Sequence, residues 1–158
     1  MYGTERSLRL LIVDDNPFDA NLLKRAFQEH TPEASIRIVE DGHQALDFLH
    51  GVVRGVDAPR PDIIVLDLSL PRRNGHQVLE AIKTKPELRS IPVIMFTSST
   101  SEEDIRKAYD LHVNCYVTKP VDQDKWAHAV AVIEMFWLQT AILPKPAAGR
   151  SFGAKGSA

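Results

Sequence analysis

Acidic residues, hydroxyls and one lysine fall at the ends of short apolar runs in this chain, and together they could handle a phosphoryl group. Leu8 to Val13 is apolar apart from Arg9 and ends on Asp14-Asp15, and the unbroken run Ile63 to Leu66 ends on Asp67. A later run closes at Thr97 before Ser98 and Ser99, and another ends on Thr118-Lys119. Carboxylates brought together raise one another's pKa and cannot all stay ionised without counter-charge. Lys119, fixed by the proline after it, supplies one cation. A divalent metal would supply another, and an all-oxygen donor set favours Mg2+ or Mn2+ over zinc. A carboxylate nucleophile, a hard metal, an ammonium and a hydroxyl donor are the parts that phosphoryl transfer to an aspartate needs. No G-x-x-x-x-G-K-S/T loop for a nucleotide is present, so the phosphoryl donor is expected to come with a partner.

Singly, each of these residues has an ordinary use. Asp14 could cap the next helix, Thr97 could be a β-branched strand residue, and Lys119 a surface side chain with its stem buried. Their common position at strand ends gives them a joint meaning, because ligands bind outside the carboxyl ends of strands in an open α/β sheet.

The elements that must position these residues alternate. The strand pattern Leu8–Val13 is followed by Asn16-Pro17, a helix start with Asn16 as N-cap, and then by Ala20, Leu23, Ala26 and Phe27 at helical spacing up to His30. Ser35–Val39 alternates as a strand with one wetter face, and after Asp41-Gly42 a helix is expected to end at Gly51. A long loop over Gly51–Pro61 leads to a third strand, Asp62–Leu66, and a helix after Gly75. Pro92–Thr97 is the fourth strand; Thr100 with Glu103 reads as a capping box opening a helix to about Leu111. Cys115–Thr118 is the fifth strand, and Asp122 caps a last helix that could extend to Leu143. Such alternation implies right-handed crossovers and a parallel sheet covered on both faces, which accounts for strands that are apolar throughout.

Composition excludes several function classes. With 158 residues and a formal net charge of −2, the chain has a length suited to one domain and offers no basic field for nucleic acid. A single cysteine, Cys115, rules out an intrachain disulfide and a thiolate cluster, which suits a cytoplasmic setting; it is expected to be a small buried hydrophobe. Met1–Arg9 has no apolar core of signal-peptide length. The apolar stretch Trp126–Leu143 is interrupted by His128, Glu134 and Gln139, so no membrane span is expected. Residues 144–158 lack periodicity and are expected to form a disordered tail.

V-D-D at 13–15, D-L-S-L-P-R-R-N-G at 67–75, F-T-S-S at 96–99 and Y-V-T-K-P at 116–120 resemble the receiver domain of two-component response regulators, in order and spacing over residues 8 to 138. The resemblance implies an α/β fold with a doubly wound five-stranded parallel sheet of order 2-1-3-4-5, flavodoxin-like, within residues 1–143. It implies that Asp67 is the phosphoacceptor and that Asp15, Asp14, Asp67 and the backbone carbonyl of Ser69 hold Mg2+ or Mn2+. By the same resemblance Lys119 pairs with the phosphoryl group, Thr97 turns inward to it, and Tyr116 changes rotamer with Thr97 as a switch. L-H-V-N-C-Y-V-T-K at 111–119, F-W-L-Q-T at 136–140 and the long loop at 51–61 are similar to the small regulators paired with phytochromes. The implied partner is a phytochrome-type histidine kinase. One departure concerns lifetime: Ser69 stands where larger amide side chains are common in the family, and Ser99 stands two residues after Thr97.

With no pattern for a helix-turn-helix module, output is expected through changed protein–protein contacts. On a helical wheel Trp126, Val130, Ile133 and Trp137 form one stripe, and Val132, Phe136 and Leu143 another. A homodimer through this last helix and the fifth strand is expected, with Trp126, Val130, Ile133, Phe136 and Trp137 at the interface. Two other readings stand beside the phosphoacceptor switch. An aspartate-dependent phosphatase would want an acid two residues after its nucleophile, where this chain has Ser69. A receiver-like scaffold would act without phosphorylation. Arg72 and Arg73 fit either a solvated turn or a kinase contact.

Overall fold

Every predicted strand forms, and the register between strands explains why the polar residues meet. The computed structural model describes residues 7–56 and 58–145. Its order is β1 (Arg9–Val13), α1 (Pro17–His30), β2 (Ser35–Val39), α2 (Gly42–Val53), β3 (Ile63–Leu66), α3 (Gly75–Thr84), β4 (Val93–Thr97), α4 (Glu102–Asp110), β5 (Cys115–Thr118) and α5 (Gln123–Ile133), the last continuing as a π-helical segment, Glu134–Thr140. The sheet is parallel throughout, in the order β2-β1-β3-β4-β5. Strand order reverses between β1 and β3. There Val13 lies beside Leu66, so Asp14 and Asp67 emerge next to each other. At the other end of the set, Thr97 is paired with Thr118, one residue before Lys119.

Alternate strand residues serve two cores. Leu11, Val13, Ile64, Leu66, Val93 and Met95 pack under α2, α3 and α4, while Leu10, Ile12, Ile63, Val65, Ile94 and Phe96 pack under α1 and α5. Both faces of β1, β3 and β4 are therefore dry, at about 1.5–3 kcal/mol for each large aliphatic side chain buried. β2, at an edge, alternates instead and leaves Ser35 and Arg37 exposed.

Helix starts carry their own signals. Asn16 accepts from the N–H groups of Phe18 and Asp19, and Asn74 forms a full capping box with Gln77. The α4 cap differs from expectation: Ser101, not Thr100, accepts from the Asp104 N–H. α2 also differs, since it begins at Gly42 and runs through Gly51 to Val53. Gly51 lies inside the helix under the returning loop: a Cβ there would lie 3.1 Å from Ala58 Cβ and 3.3 Å from Val56 Cγ2, a tight fit. β3 starts one residue later than expected because the Asp62 carboxylate accepts the Arg9 N–H at 2.8 Å.

The last helix departs most. Trp126, Val130, Ile133 and Trp137 all pack onto the molecule's own core, with Val130 and Ile133 buried and the two tryptophans half-buried. Beyond Ile133 the turn widens to π geometry, and Gln139 donates to the buried Glu134 carboxylate at 2.8 Å across the matching five-residue step. Leu138 and Leu143 then turn to the core, whereas Val132, Met135 and Phe136 face outward, 49%, 58% and 51% exposed. The helix stops at Thr140, short of Leu143. Cys115 is half-buried rather than buried, and burial pushes its thiol pKa up. The tail from residue 146 onward lies outside the described residues.

Candidate functional site

The site sits on the rim where β1, β3, β4 and β5 end. Asp67 is held there by its backbone: its N–H donates to Val13 carbonyl at 2.9 Å, and Gly75 N–H donates to Leu68 carbonyl at 2.8 Å. Gly75 must lack a side chain, since a Cβ would collide with the Asp67 carbonyl oxygen and lie 2.6 Å from Leu68 Cα. The Asp67 side chain is nearly enclosed, and its Oδ1 accepts from the Ser69 N–H at 3.2 Å. Asp14 is equally enclosed, with Oδ1 accepting from Asn16 N–H at 2.9 Å. Asp15 is exposed.

Lys119 gathers these acids. Its Nζ donates to Asp14 Oδ2 at 2.8 Å, Asp19 Oδ2 at 2.9 Å and Asp67 Oδ2 at 3.1 Å, and the side chain is only 9% exposed. Its N–H donates to the Thr97 carbonyl at 2.7 Å, which fixes the lysine's base to β4. Burial alone would lower the ammonium's pKa, but the hydrogen bonds to Asp14 and Asp19 and the charge of Asp67 more than reverse this and raise it. The Thr97 side chain is fully buried, and its Oγ1 has no hydrogen-bond partner among the described residues. A buried hydroxyl left unpaired costs about 1–3 kcal/mol, so this atom points to a group that arrives later.

Tyr116, predicted as the switch aromatic, donates through its hydroxyl to the Ser99 carbonyl at 2.9 Å. Ser99 in turn donates to Asp104 Oδ2 at 2.6 Å, and His76 Nε2 lies 3.1 Å from the Asp104 carbonyl oxygen. The loop between β4 and α4 is thus tied to β5 and α4, and α4 in turn to α3. Arg72 adopts a left-handed φ of 72° in the turn before α3 and lies 4.0 Å from Asp41.

Asp14, Asp15 and Asp67 each offer a carboxylate oxygen, and these oxygens all lie within 4.8 Å of one another. All-oxygen donors at this spacing fit a hard divalent cation. The Asp14 pKa is raised from 3.8 to about 6, chiefly by burial, with the Lys119 and Asn16 hydrogen bonds opposing. The proton is therefore held more tightly in the folded chain than in the unfolded one. This group costs the metal-free protein stability as pH rises from 4 through 6, and a bound cation offsets that cost. Mg2+ affinity measured by calorimetry is expected to fall by about tenfold per pH unit below the Asp14 pKa, as proton and metal compete. Affinity unchanged between pH 7.5 and pH 5 would contradict Asp14 as a ligand.

Asp14, Asp15, Asp67, Lys119 and Thr97 are brought to one rim, as the sequence led one to expect, but Asp19 is an addition. It occupies the first turn of α1, where an acid ordinarily serves the helix dipole. Its only signal in sequence is that α1 starts at the same sheet edge.

Residues 10–131 match the family model of the response regulator receiver domain. The chain is 39% identical over 135 residues to response regulator Rcp1 of Synechocystis sp., covering 85% of this chain and 92% of that protein. Among solved structures it resembles the phosphorylated cyanobacterial phytochrome response regulator RcpA, with a TM-score of 0.83 at 40% identity over 88% of this chain and 99% of that one. It also resembles the Mn2+-bound form of Rcp1, with a TM-score of 0.82 at 38% identity over 87% of this chain and 99% of that one.

Proposed function

This chain belongs to the response regulator receiver family, and from that premise we propose that Asp67 accepts a phosphoryl group from a histidine kinase. The observation that carries the reading is the Lys119 ammonium on Asp67 and Asp14, beside the unpartnered Thr97 hydroxyl. An Asp67 carboxylate oxygen attacks phosphorus, the P–N bond to the donor histidine breaks, and the imidazole leaves with the bonding electron pair. Lys119 stabilises charge on the phosphoryl oxygens, and Thr97 Oγ1 supplies the hydrogen bond for which it has no partner now. Asp14, Asp15, Asp67 and the Ser69 carbonyl would hold Mg2+ or Mn2+, which when bound neutralises phosphoryl charge. Asp14 supplies an ionised ligand once it has lost its proton.

Acetyl phosphate or a phosphorylated kinase, with Mg2+, tests this directly. A base-labile, hydroxylamine-sensitive label on the chain supports the switch, and its complete absence would leave only the scaffold reading. Against the phosphatase stands Ser69, which offers a hydroxyl where a general acid would be needed. Thr97→Val is expected to leave the unmodified protein as stable or about 1 kcal/mol more stable, because it removes an unpaired polar atom. The same change is expected to slow labelling about 10- to 100-fold. Denaturant unfolding and labelling rates check the two halves separately, and a stability loss of core-cavity size would show that the hydroxyl has a partner.

The similarity to RcpA and Rcp1 supports a phytochrome-type kinase as the donor. An open groove of about 640 Å3 between α1 and α5, lined by Phe18, Asp19, Lys119 and Trp126, borders the rim at Asp19 and Lys119. Phosphorylation adds about −1.5 to −2 charges at pH 7, and the Thr97 and Tyr116 pair with α4 forms the element that this charge would bias. Homodimerisation through the last helix and β5 is supported by the outward apolar group Val132, Met135 and Phe136. Sedimentation is expected to give a dimer that Phe136→Asp dissociates at tens of micromolar; a monomer with and without phosphorylation contradicts it. Among the described residues no helix is long and apolar enough to cross a membrane.

A further inference from the structure

We propose that Asp19 is a positioning residue that anchors the Lys119 ammonium while the ammonium's other two carboxylate partners change role. The inference rests on the reading of Asp67 as phosphoacceptor. An ammonium has three N–H donors and no acceptor. Here each donor has its own carboxylate, Asp14 at 2.8 Å, Asp19 at 2.9 Å and Asp67 at 3.1 Å. Phosphorylation converts the Asp67 carboxylate into an acyl phosphate, so the N–H that faced it must follow the phosphoryl oxygens. Asp14 belongs to the metal-competent set with Asp15 and Asp67, so a bound cation shares its charge. Asp19 lies outside that set, and its bond to Lys119 is the one that need not change.

The location of Asp19 suits an anchor. It sits on α1, a 14-residue helix packed on the sheet through Ala20, Leu23 and Phe27, and its N–H is held by Asn16 Oδ1 at 3.1 Å. Its side chain is 19% exposed, against 64% for its neighbour Phe18 at residue level. Lysine, by contrast, is a point charge on a flexible four-carbon stem. Without Asp19 the ammonium would shift with whichever of Asp14 and Asp67 is more negative, and a misplacement of about 1 Å costs up to about a hundredfold in rate. An acid in the first helical turn that served only the helix dipole would not need to reach Lys119.

The test uses the full chain with acetyl phosphate at saturating Mg2+. Asp19→Ala is expected to slow labelling of Asp67 by about tenfold with the donor KM changed less than about twofold. Asp19→Asn, which keeps an oxygen acceptor of the same shape, is expected to recover most of the rate. In a Lys119→Met background the Asp19→Ala change is expected to have no further effect, since Asp19 acts through the lysine. A second readout needs neither metal nor donor: the 1H–15N signal of the Lys119 ammonium, assigned by its loss in Lys119→Met, should vanish in Asp19→Ala and persist in Asp19→Asn. Wild-type labelling rates in Asp19→Ala, or an equal slowing when Lys119 is already gone, would overturn the anchor while leaving the phosphoacceptor reading intact. An unlabelled wild-type chain would overturn that reading instead, and the metal-free ammonium signal would still decide the anchor.

Discussion

Asp67→Asn is expected to fold, to keep its thermal stability or gain some, and to take up no phosphoryl label above background. Asparagine keeps the side chain's shape and an oxygen that can accept from Lys119 or from the Ser69 N–H, which now meet Oδ2 and Oδ1. It removes one of the like charges crowded beside Asp14, where the Asp67 charge is among the causes that raise the Asp14 pKa. The nucleophile is lost altogether, because an amide oxygen does not attack phosphorus at a useful rate. Mg2+ affinity is expected to fall by about tenfold or more with the loss of an ionised ligand. Calorimetric unfolding, metal titration and labelling on one preparation check the three expectations together. Retained label would move the acceptor elsewhere. A large loss of stability would mean that the Asp67 charge has a structural duty not visible in its contacts.

Lys119→Met is expected to produce the opposite pattern, a large loss of stability that acid and Mg2+ both relieve. Methionine fills the volume of the lysine stem against Phe96, whose ring centroid lies 5.9 Å from Nζ, so packing loss is small. The charge loss dominates. Asp14 and Asp67 side chains are 3% and 8% exposed, and with the ammonium gone no counter-charge among the described residues pairs with them. Breaking a buried ion pair by removing one partner costs about 3–5 kcal/mol. The sign with pH follows from Asp14. Its pKa is already raised to about 6 with the lysine present, and removing the lysine raises it further. At pH 7.5 the variant must bury the charge or take up a proton, whereas at pH 5 the proton is already bound. The destabilisation is therefore largest at pH 7.5 and shrinks toward pH 5, and Mg2+ restores part of it at the higher pH. Urea unfolding at the two pH values, with and without Mg2+, measures it; a pH-independent loss would assign the lysine to packing rather than charge.

The rim residues were legible because each ends an apolar run whose burial is itself legible. Ile63 to Leu66 can only be a strand dry on both faces, and Asp67 must then stand at its mouth. Asp19 was not legible, since its meaning lies in the approach of β5 to α1, a contact one hundred residues apart in sequence. Gly51 misleads for a related reason. A glycine in a helix usually lowers helix propensity, but here Val56 and Ala58 return close to it, and a Cβ would crowd both side chains. Ser101 replaces Thr100 as cap by a one-residue difference that local pattern does not resolve. The wheel of the last helix identified its apolar stripes but not which one faces the sheet: Trp126, Val130, Ile133 and Trp137 pack against the core under α5, while Phe136 is left outward beside Val132 and Met135.

Chemical trapping identifies the phosphorylated residue, expected to be Asp67. The chain is phosphorylated in the presence of Mg2+, treated with borohydride to reduce the acyl phosphate to an alcohol, and mapped by peptide mass spectrometry. Residue 67 alone is expected to be converted, as homoserine, and only after exposure to the donor. Conversion at Asp14, Asp15 or Asp19, or none at residue 67 under conditions that label the chain, would contradict it.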